Sequence, residues 1–127
     1  MPQTLRLDPL EELLMVKRGK WTPVVILHLR GQTLRFSELL RGIPGLSQKA
    51  LTQTLRTLER DGFVSRTSFN TIPPRVDYAL TDLGYEVLRV FEAWEAFSQK
   101  HWANVLASRQ RFDSDMEAAP LPLLRQG

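Results

Sequence analysis

Five polar side chains between residues 48 and 56 are spaced so that they could contact the edges of nucleic-acid bases. Successive helical residues are rotated by about 100°, which places these five on one side of a helix. Gln offers a donor and an acceptor to adenine, Lys and Arg donate to guanine, and Thr can bond a base or touch a thymine methyl group. The set comprises Gln48, Lys49, Thr52, Gln53 and Arg56. The pattern favours a helix that enters the major groove of DNA; the alternative is a solvated helix face without acids.

The helix that carries this face has a recognisable beginning and end in the sequence. Ser47 is a suitable N-cap residue and a candidate DNA-binding residue at the end that would enter the groove, and Gly62 is suited to a left-handed stop after the last turn. An apolar stripe with the i, i+4, i+7 spacing runs along the other side of the helix. It consists of Leu51, Leu55 and Leu58. The sequence therefore predicts one buried side and one exposed side.

Two shorter helices are predicted before this one. In "TPVVILHLRG", Thr22 is a candidate cap, Pro23 a first helical residue and Gly31 a stop, which predicts a buried helix. "RFSELLRGI" predicts a short amphipathic helix, and Pro44-Gly45 after it forces a turn. A short helix, a tight turn and a second helix make a helix-turn-helix, whose second helix is the one that reads DNA.

Two predicted strands after the helix-turn-helix form a candidate wing. "FVSRTSF" and "RVDYALT" are rich in β-formers and are separated by a loop that contains Pro73 and Pro74. Arg75 follows this loop, where it could reach a phosphate or the minor groove; the alternative is a solvated charge at a strand end. We expect Arg35 and Arg66 to bind backbone phosphates. The fold class predicted is mainly α with a small β-wing (α+β).

The charge of the 127-residue chain is distributed unevenly. Residues 17–66 carry ten basic side chains against three acids, a net +7, whereas residues 1–16 and 67–127 are each net −2. A basic middle with acidic flanks indicates one face suited to a polyanion. An RNA-binding module is disfavoured, because the basic segment lacks the exposed aromatic residues on which bases stack.

Several other function classes lack the residues they need. There is no Cys, which excludes disulfides and cysteine nucleophiles. His28 and His101 lack the nearby carboxylates of a metal site and are interpreted as structural. No phosphate-binding Gly-rich loop or paired carboxylates stand out, so we expect no enzyme, no cofactor and no metal. The chain shows no signal peptide and no apolar run of membrane-spanning length, so a cytoplasmic protein without membrane contact is expected.

The two ends of the chain are predicted to form a dimer. Asp8 and Pro9 begin a helix near the N-terminus, and a long helix is predicted from Thr81 to about Ser108. Their apolar side chains would exceed the exposed patch typical of a monomer, which favours a two-fold homodimer on an inverted-repeat operator. The candidate dimerisation residues are Leu10, Leu13, Leu14, Phe91, Trp94, Phe97 and Trp102. An effector pocket lined by Trp94, Phe97 and Trp102 is the alternative, and an unidentified small-molecule effector stays open. Residues 1–112 are expected to form the domain, with 113–127 a flexible Pro-rich tail.

Three segments resemble the HxlR-type winged-helix regulators of bacteria over roughly residues 17–84. They are "GKWTPVVILHLRG", "RFSELLRGIPGLSQKALTQTLRTLERDGFVSR" and "PPRVDYALTDLG". The resemblance implies a homodimeric, DNA-binding transcriptional regulator whose dimer is built from the N-terminal helix and the long C-terminal helix. Family members often carry a Cys-Pro pair where this chain has Asp8-Pro9, so thiol sensing is excluded here. The competing function is a winged helix used for protein contact, for which acids or aromatic residues would be expected on the helix face.

Overall fold

The structure is a computed structural model that describes residues 19–118, which contain four helices and a three-stranded antiparallel sheet. The strand order is β1-β3-β2. The elements are α1 (Thr22–His28), β1 (Leu34–Arg35), α2 (Phe36–Gly42), α3 (Gln48–Arg60), β2 (Val64–Phe69), β3 (Arg75–Leu80) and α4 (Asp82–Ala118). The predicted mainly helical fold with a small β-wing is confirmed. The helix expected after Asp8, with Leu10, Leu13 and Leu14, lies outside the described residues, as does the tail beyond Ala118.

Both ends of α3 form as the sequence predicts. The Ser47 hydroxyl accepts a hydrogen bond from the Ala50 N–H at 3.0 Å, which satisfies one of the free donors of the first turn. At the other end, Gly62 adopts φ +86°, and the Phe63 N–H donates to the Leu58 carbonyl at 2.9 Å. This Schellman-type closure lets the chain reverse directly into β2. The exposed face of α3 is therefore presented on a helix whose ends are both fixed.

The first helix begins differently from the prediction. Thr22 lies inside α1 and is buried, and the N-cap is Trp21, which makes no side-chain capping bond. The helix instead follows a turn in which the Thr22 N–H donates to the Gly19 carbonyl at 3.2 Å. The helix also ends at His28, before Gly31. A preceding turn that satisfies the first N–H removes the need for a hydroxyl cap.

The strand β1 was not predicted. It has two residues, which is too short to show a hydrophobic period. It exists because it pairs with β3, with Leu34 opposite Tyr78 and Arg35 opposite Asp77. This pairing makes β3 the central strand of the sheet.

The last helix is longer than expected. The Thr81 hydroxyl accepts the Gly84 N–H at 3.0 Å at its start, and α4 continues to Ala118. It therefore passes both the predicted end near Ser108 and the domain boundary at 112. No Gly or Pro occurs between Gly84 and Pro120, so the sequence contains no residue that would stop the helix earlier.

The core lies among α1, α2, α3, the sheet and the start of α4. Its largest fully buried side chains are Val25, Ile26, Leu29, Leu39, Leu51 and Leu58. Phe91 packs against this core and is half-buried, so the expectation that it lacks a partner within one chain is wrong. The chain divides into two compact units, one ending at Glu92 and one beginning at Ala93. The α3 face and the wing belong to the first unit.

Candidate nucleic-acid interface

The predicted DNA-facing residues of α3 come together on one surface. Gln48, Lys49, Gln53 and Arg56 are exposed, Thr52 is half-buried, and all five line a shallow open recess along the helix. None of these five side chains is acidic. The opposite side packs Leu51, Leu55 and Leu58 into the core and holds this face outward.

Thr52 has a narrower role than its residue type suggests. Its hydroxyl donates to the Gln48 carbonyl one turn earlier at 2.9 Å. The hydroxyl proton is therefore used within the helix, as is common for Thr in helices. What Thr52 can offer a base is its methyl group and the acceptor lone pairs of its oxygen, which allows contact with a thymine methyl or with a base N–H donor.

The wing adds Arg66 to one side of this face. Arg66 is exposed on β2 and lies opposite Tyr78 of β3. Its Nη1 lies 3.2 Å from the Ser68 hydroxyl. A second recess, between α3 and the sheet, brings Arg66 together with several side chains of α3 and the start of α2. The lining is Phe36, Gln48, Thr52, Leu55, Arg56, Glu59, Arg66 and Tyr78.

Glu59 of α3 also lies in this second recess. Eleven helical steps of about 100° bring it back to nearly the direction of Gln48, one turn beyond Arg56. The helical spacing of the sequence was therefore sufficient to place Glu59 beside Gln48 and Arg56. The recess therefore combines two cations, Arg56 and Arg66, with one carboxylate.

Arg75 is held by a partner that sequence reasoning missed. Its Nε and Nη2 donate to Oδ1 and Oδ2 of Asp77, both at 2.9 Å, and its guanidinium lies 5.2 Å from the centre of the Phe69 ring. The hydrogen bonds from Arg75 lower the pKa of the Asp77 carboxyl, and Asp77 in turn raises the pKa of Arg75. Two of the five N–H donors of the guanidinium are used in this way. The side chain stays 45% exposed, so its remaining donors can still reach solvent or a phosphate.

Asp77 is itself buried, with 8% of its surface exposed. Its carboxylate is bonded by Arg75, and its cross-strand neighbours are Arg35 on β1 and Thr67 on β2. Arg35, opposite Asp77 on β1, also lowers the pKa of this carboxyl. Arg35 remains exposed, and its backbone N–H donates to Glu38 Oε1 at 2.8 Å.

Three of the predicted dimerisation residues form an exposed aromatic surface in the second unit. Trp94, Phe97 and Trp102 are 64%, 48% and 51% exposed. The Trp94 and Phe97 rings stack with centres 5.4 Å apart, and the Arg109 guanidinium lies 5.3 Å from the centre of the Trp102 ring. Large aromatic surfaces left open in one chain are typical of interaction sites.

Within residues 19–118, no group of three or more His, Asp or Glu side chains is placed to hold a metal ion. Over the same residues, no helix combines the length and the apolar character needed to cross a membrane.

A helix-turn-helix followed by an antiparallel strand pair defines the winged helix-turn-helix class of transcriptional regulator. Within this class, a sequence model of the HxlR-like helix-turn-helix family matches residues 16–105, and the chain belongs to that family. The match extends about twenty residues beyond the similarity seen in the sequence motifs and includes part of α4. The fold and the family together make the protein a transcriptional regulator and not an enzyme.

Named relatives agree with this assignment. The chain is 39% identical over 101 residues to the uncharacterised HTH-type transcriptional regulator YtfH of Escherichia coli (strain K12), covering 80% of each protein. A solved structure of ytfH from Salmonella typhimurium, a proposed transcriptional regulator, is 38% identical with a TM-score of 0.72, covering 80% of this chain and 91% of that one. The reduced form of the redox regulator HypR is 34% identical with a TM-score of 0.71, covering 80% of this chain and 99% of that one.

Proposed function

We propose that this regulator binds double-stranded DNA as a homodimer, with α3 in the major groove of each half of an inverted-repeat operator. The observation that carries the proposal is the face of α3. It presents five exposed or half-exposed polar side chains without an acid among them, on a helix that is capped at both ends. Helices in winged-helix regulators read bases from such a face.

The proposal divides the basic residues by role. Gln48, Lys49, Gln53 and Arg56 contact base edges, and Thr52 touches them through its methyl group. Ser47 fixes the start of the helix through its bond to Ala50, so its contribution is to position the others. Arg35 and Arg66 bind phosphates beside the groove, and Arg75 does so through the donors that Asp77 leaves free.

Dimerisation is supported by the exposed aromatic surface of α4. Trp94, Phe97 and Trp102 would bury a large apolar area against the same residues of a second copy. A two-fold axis makes such a contact self-complementary. Reading of two half-sites by such a dimer would require two copies of α3 about 34–36 Å apart, one turn of DNA, and the operator would then be an inverted repeat.

Enrichment of genomic DNA fragments on the purified protein, followed by sequencing, tests the proposal. The expected result is a small set of fragments that share an inverted repeat. The matched control is the double variant Gln53→Ala/Arg56→Ala, which removes two exposed side chains and should lose this enrichment while keeping the circular dichroism of the wild type. A wild-type protein that enriches no fragment would contradict DNA binding and favour the alternative of a winged helix used for protein contact.

A further inference from the structure

Lys20 lies near the side of α3 that faces the start of α1, and the sequence assigned this lysine no individual role. Lys20 is exposed in the turn before α1, and its Nζ lies 5.0 Å from the centre of the Trp21 ring. Beside this turn opens a recess of about 290 Å³ between α1 and α3. Its lining includes Gly19, Trp21, Thr22, Ala50, Gln53 and Thr57. Thr54 also lines the recess, and none of these lining residues is acidic.

This recess continues the DNA-facing surface around the helix. Gln53 lines both the recess beside Trp21 and the shallow recess that runs along the exposed face of α3. With about 100° per residue, Gln53 and Thr57 lie roughly 140° and 180° from Gln48. Arg66, by contrast, meets α3 on the side of Gln48 and Glu59. The Lys20 turn and Arg66 therefore lie on opposite flanks of the same helix.

The dimensions of the major groove imply that both flanks of a bound α3 would lie beside DNA phosphates. A helix with its side chains is about 10–12 Å across, and the major groove is about 12 Å wide. A helix in the groove therefore fills it, and each flank meets one of the two phosphate-bearing walls. Arg66 would meet one wall, and the turn that carries Lys20 lies on the flank that would face the other.

We infer that the recess beside Trp21 binds a phosphate of the DNA backbone, with the neighbouring Lys20 as the cation and the Thr57 hydroxyl as a neutral donor. This inference rests on the proposed function, because it names a further contact with the same DNA. Lys binds phosphate as a compact point charge, and Thr and Gln side chains commonly donate to phosphate oxygens.

The position of the recess is fixed by Trp21. Attraction between its ring and the Lys20 ammonium restricts the otherwise flexible Lys side chain. Cη2 of the ring lies 3.7 Å from where a Cβ on Gly45 would stand, within the turn between α2 and α3. The ring thus lies beside the turn that leads into α3, which favours a fixed place for the phosphate site relative to the base-reading side chains.

The salt dependence of binding to the most enriched genomic fragment tests the inference. Lys20→Ala should lower the slope of log K against log salt by about 0.9 for each Lys20 that contacts a phosphate, without changing base preference. Lys20→Arg should restore the slope, because it keeps the charge. The control Arg89→Ala removes an exposed cation of α4 that lines none of the three recesses, and should keep the wild-type slope.

Ethylation interference on the same fragment supplies the second readout. Wild-type protein should be sensitive to ethylation of one phosphate per half-site that no longer affects Lys20→Ala. If wild-type protein binds but Lys20→Ala keeps both its slope and its interference pattern, this phosphate site is wrong while the proposed function stands. If the wild-type protein binds no fragment, the proposed function fails and the site fails with it. Circular dichroism of each variant excludes unfolding, since Lys20 and Arg89 are both exposed.

Discussion

Arg56 is the residue whose role in base reading can be separated most clearly from its charge. It lines both recesses on the exposed side of α3 and forms no ion pair shorter than 4 Å with Glu59, one turn away. Arg56→Ala should weaken binding to the cognate site by roughly 1–3 kcal/mol and relax preference at particular base pairs. Fluorescence anisotropy on matched and mismatched sites measures both effects.

Arg56→Lys serves as the control for that substitution. It keeps the positive charge but loses the planar fork that contacts a base with two bonds. We expect a nearly unchanged salt slope with relaxed base preference. A variant that loses affinity equally on every sequence would instead place Arg56 on the phosphates.

The pair formed by Arg75 and Asp77 makes a prediction about stability and pH. Asp77→Asn should lower the Tm at neutral pH, because it weakens two hydrogen bonds to a charged partner. The folded-state pKa of Asp77 lies below its usual value of 3.8, so the pair stabilises the fold above that value and is lost as pH falls through the folded pKa. The Tm difference from wild type should therefore shrink in strongly acidic buffer. A difference that stayed constant with pH would contradict this role.

The same pair separates the two roles of Arg75. Asp77→Asn keeps the cation and should leave the salt slope of DNA binding unchanged. Arg75→Ala should lower that slope by about 1. Equal slopes for the two variants and the wild type would mean that Arg75 supports the wing without contacting phosphate.

Among the elements, the junction between α3, β2 and α4 depends on a close backbone approach at Gly84. A Cβ at this position would stand 2.0 Å from the Phe63 carbonyl oxygen, which also accepts the Thr81 N–H at 3.1 Å. Gly84→Ala should therefore destabilise the fold by about 1–3 kcal/mol, because a backbone atom must move. Urea unfolding measures the change. Gly19→Ala is the matched control and should be nearly neutral, since nothing lies within 4 Å of its added Cβ.

Elements whose bounds are set by neighbouring residues could be predicted from the sequence, whereas elements that depend on distant residues could not. The bounds of α3 follow from Ser47, Gly62 and the leucine stripe, all of which act within a few residues. The strand β1 and the burial of Asp77 depend on pairing across more than forty residues, which no local pattern reveals. The end of α4 was misplaced near Ser108, although no Gly or Pro precedes Pro120 to end the helix there.

The candidate site likewise combines features that the local sequence predicts with features that only the fold creates. Helical spacing was enough to gather the five side chains of the α3 face, and it also contained the position of Glu59. The bond between Arg75 and Asp77 and the recess beside Trp21 each depend on residues brought together by the fold. The sequence identified the types of side chain available there but not their partners.

For the whole molecule, the dimer proposal predicts the effect of a charge on α4. Trp94→Glu should convert the dimer to a monomer and abolish DNA binding, because a carboxylate buried without a partner is costly. Gln110→Glu adds the same charge at an exposed position about 160° from Trp94 round the helix and about two turns beyond Trp102, and should leave the dimer intact. Light scattering at micromolar concentration measures both masses. A monomeric mass for the wild-type protein would contradict the dimer and the inverted-repeat operator that follows from it.

The central claim, that the basic first unit binds DNA through α3, is tested most directly by a salt titration of the wild-type protein on genomic fragments. A dimer that neutralises roughly 6–10 phosphates should lose affinity by about 10³–10⁵ between 50 and 200 mM salt. We predict a steep linear fall of log K with log salt and a slow-migrating complex at the low-salt end. The absence of any complex at low salt would contradict the account.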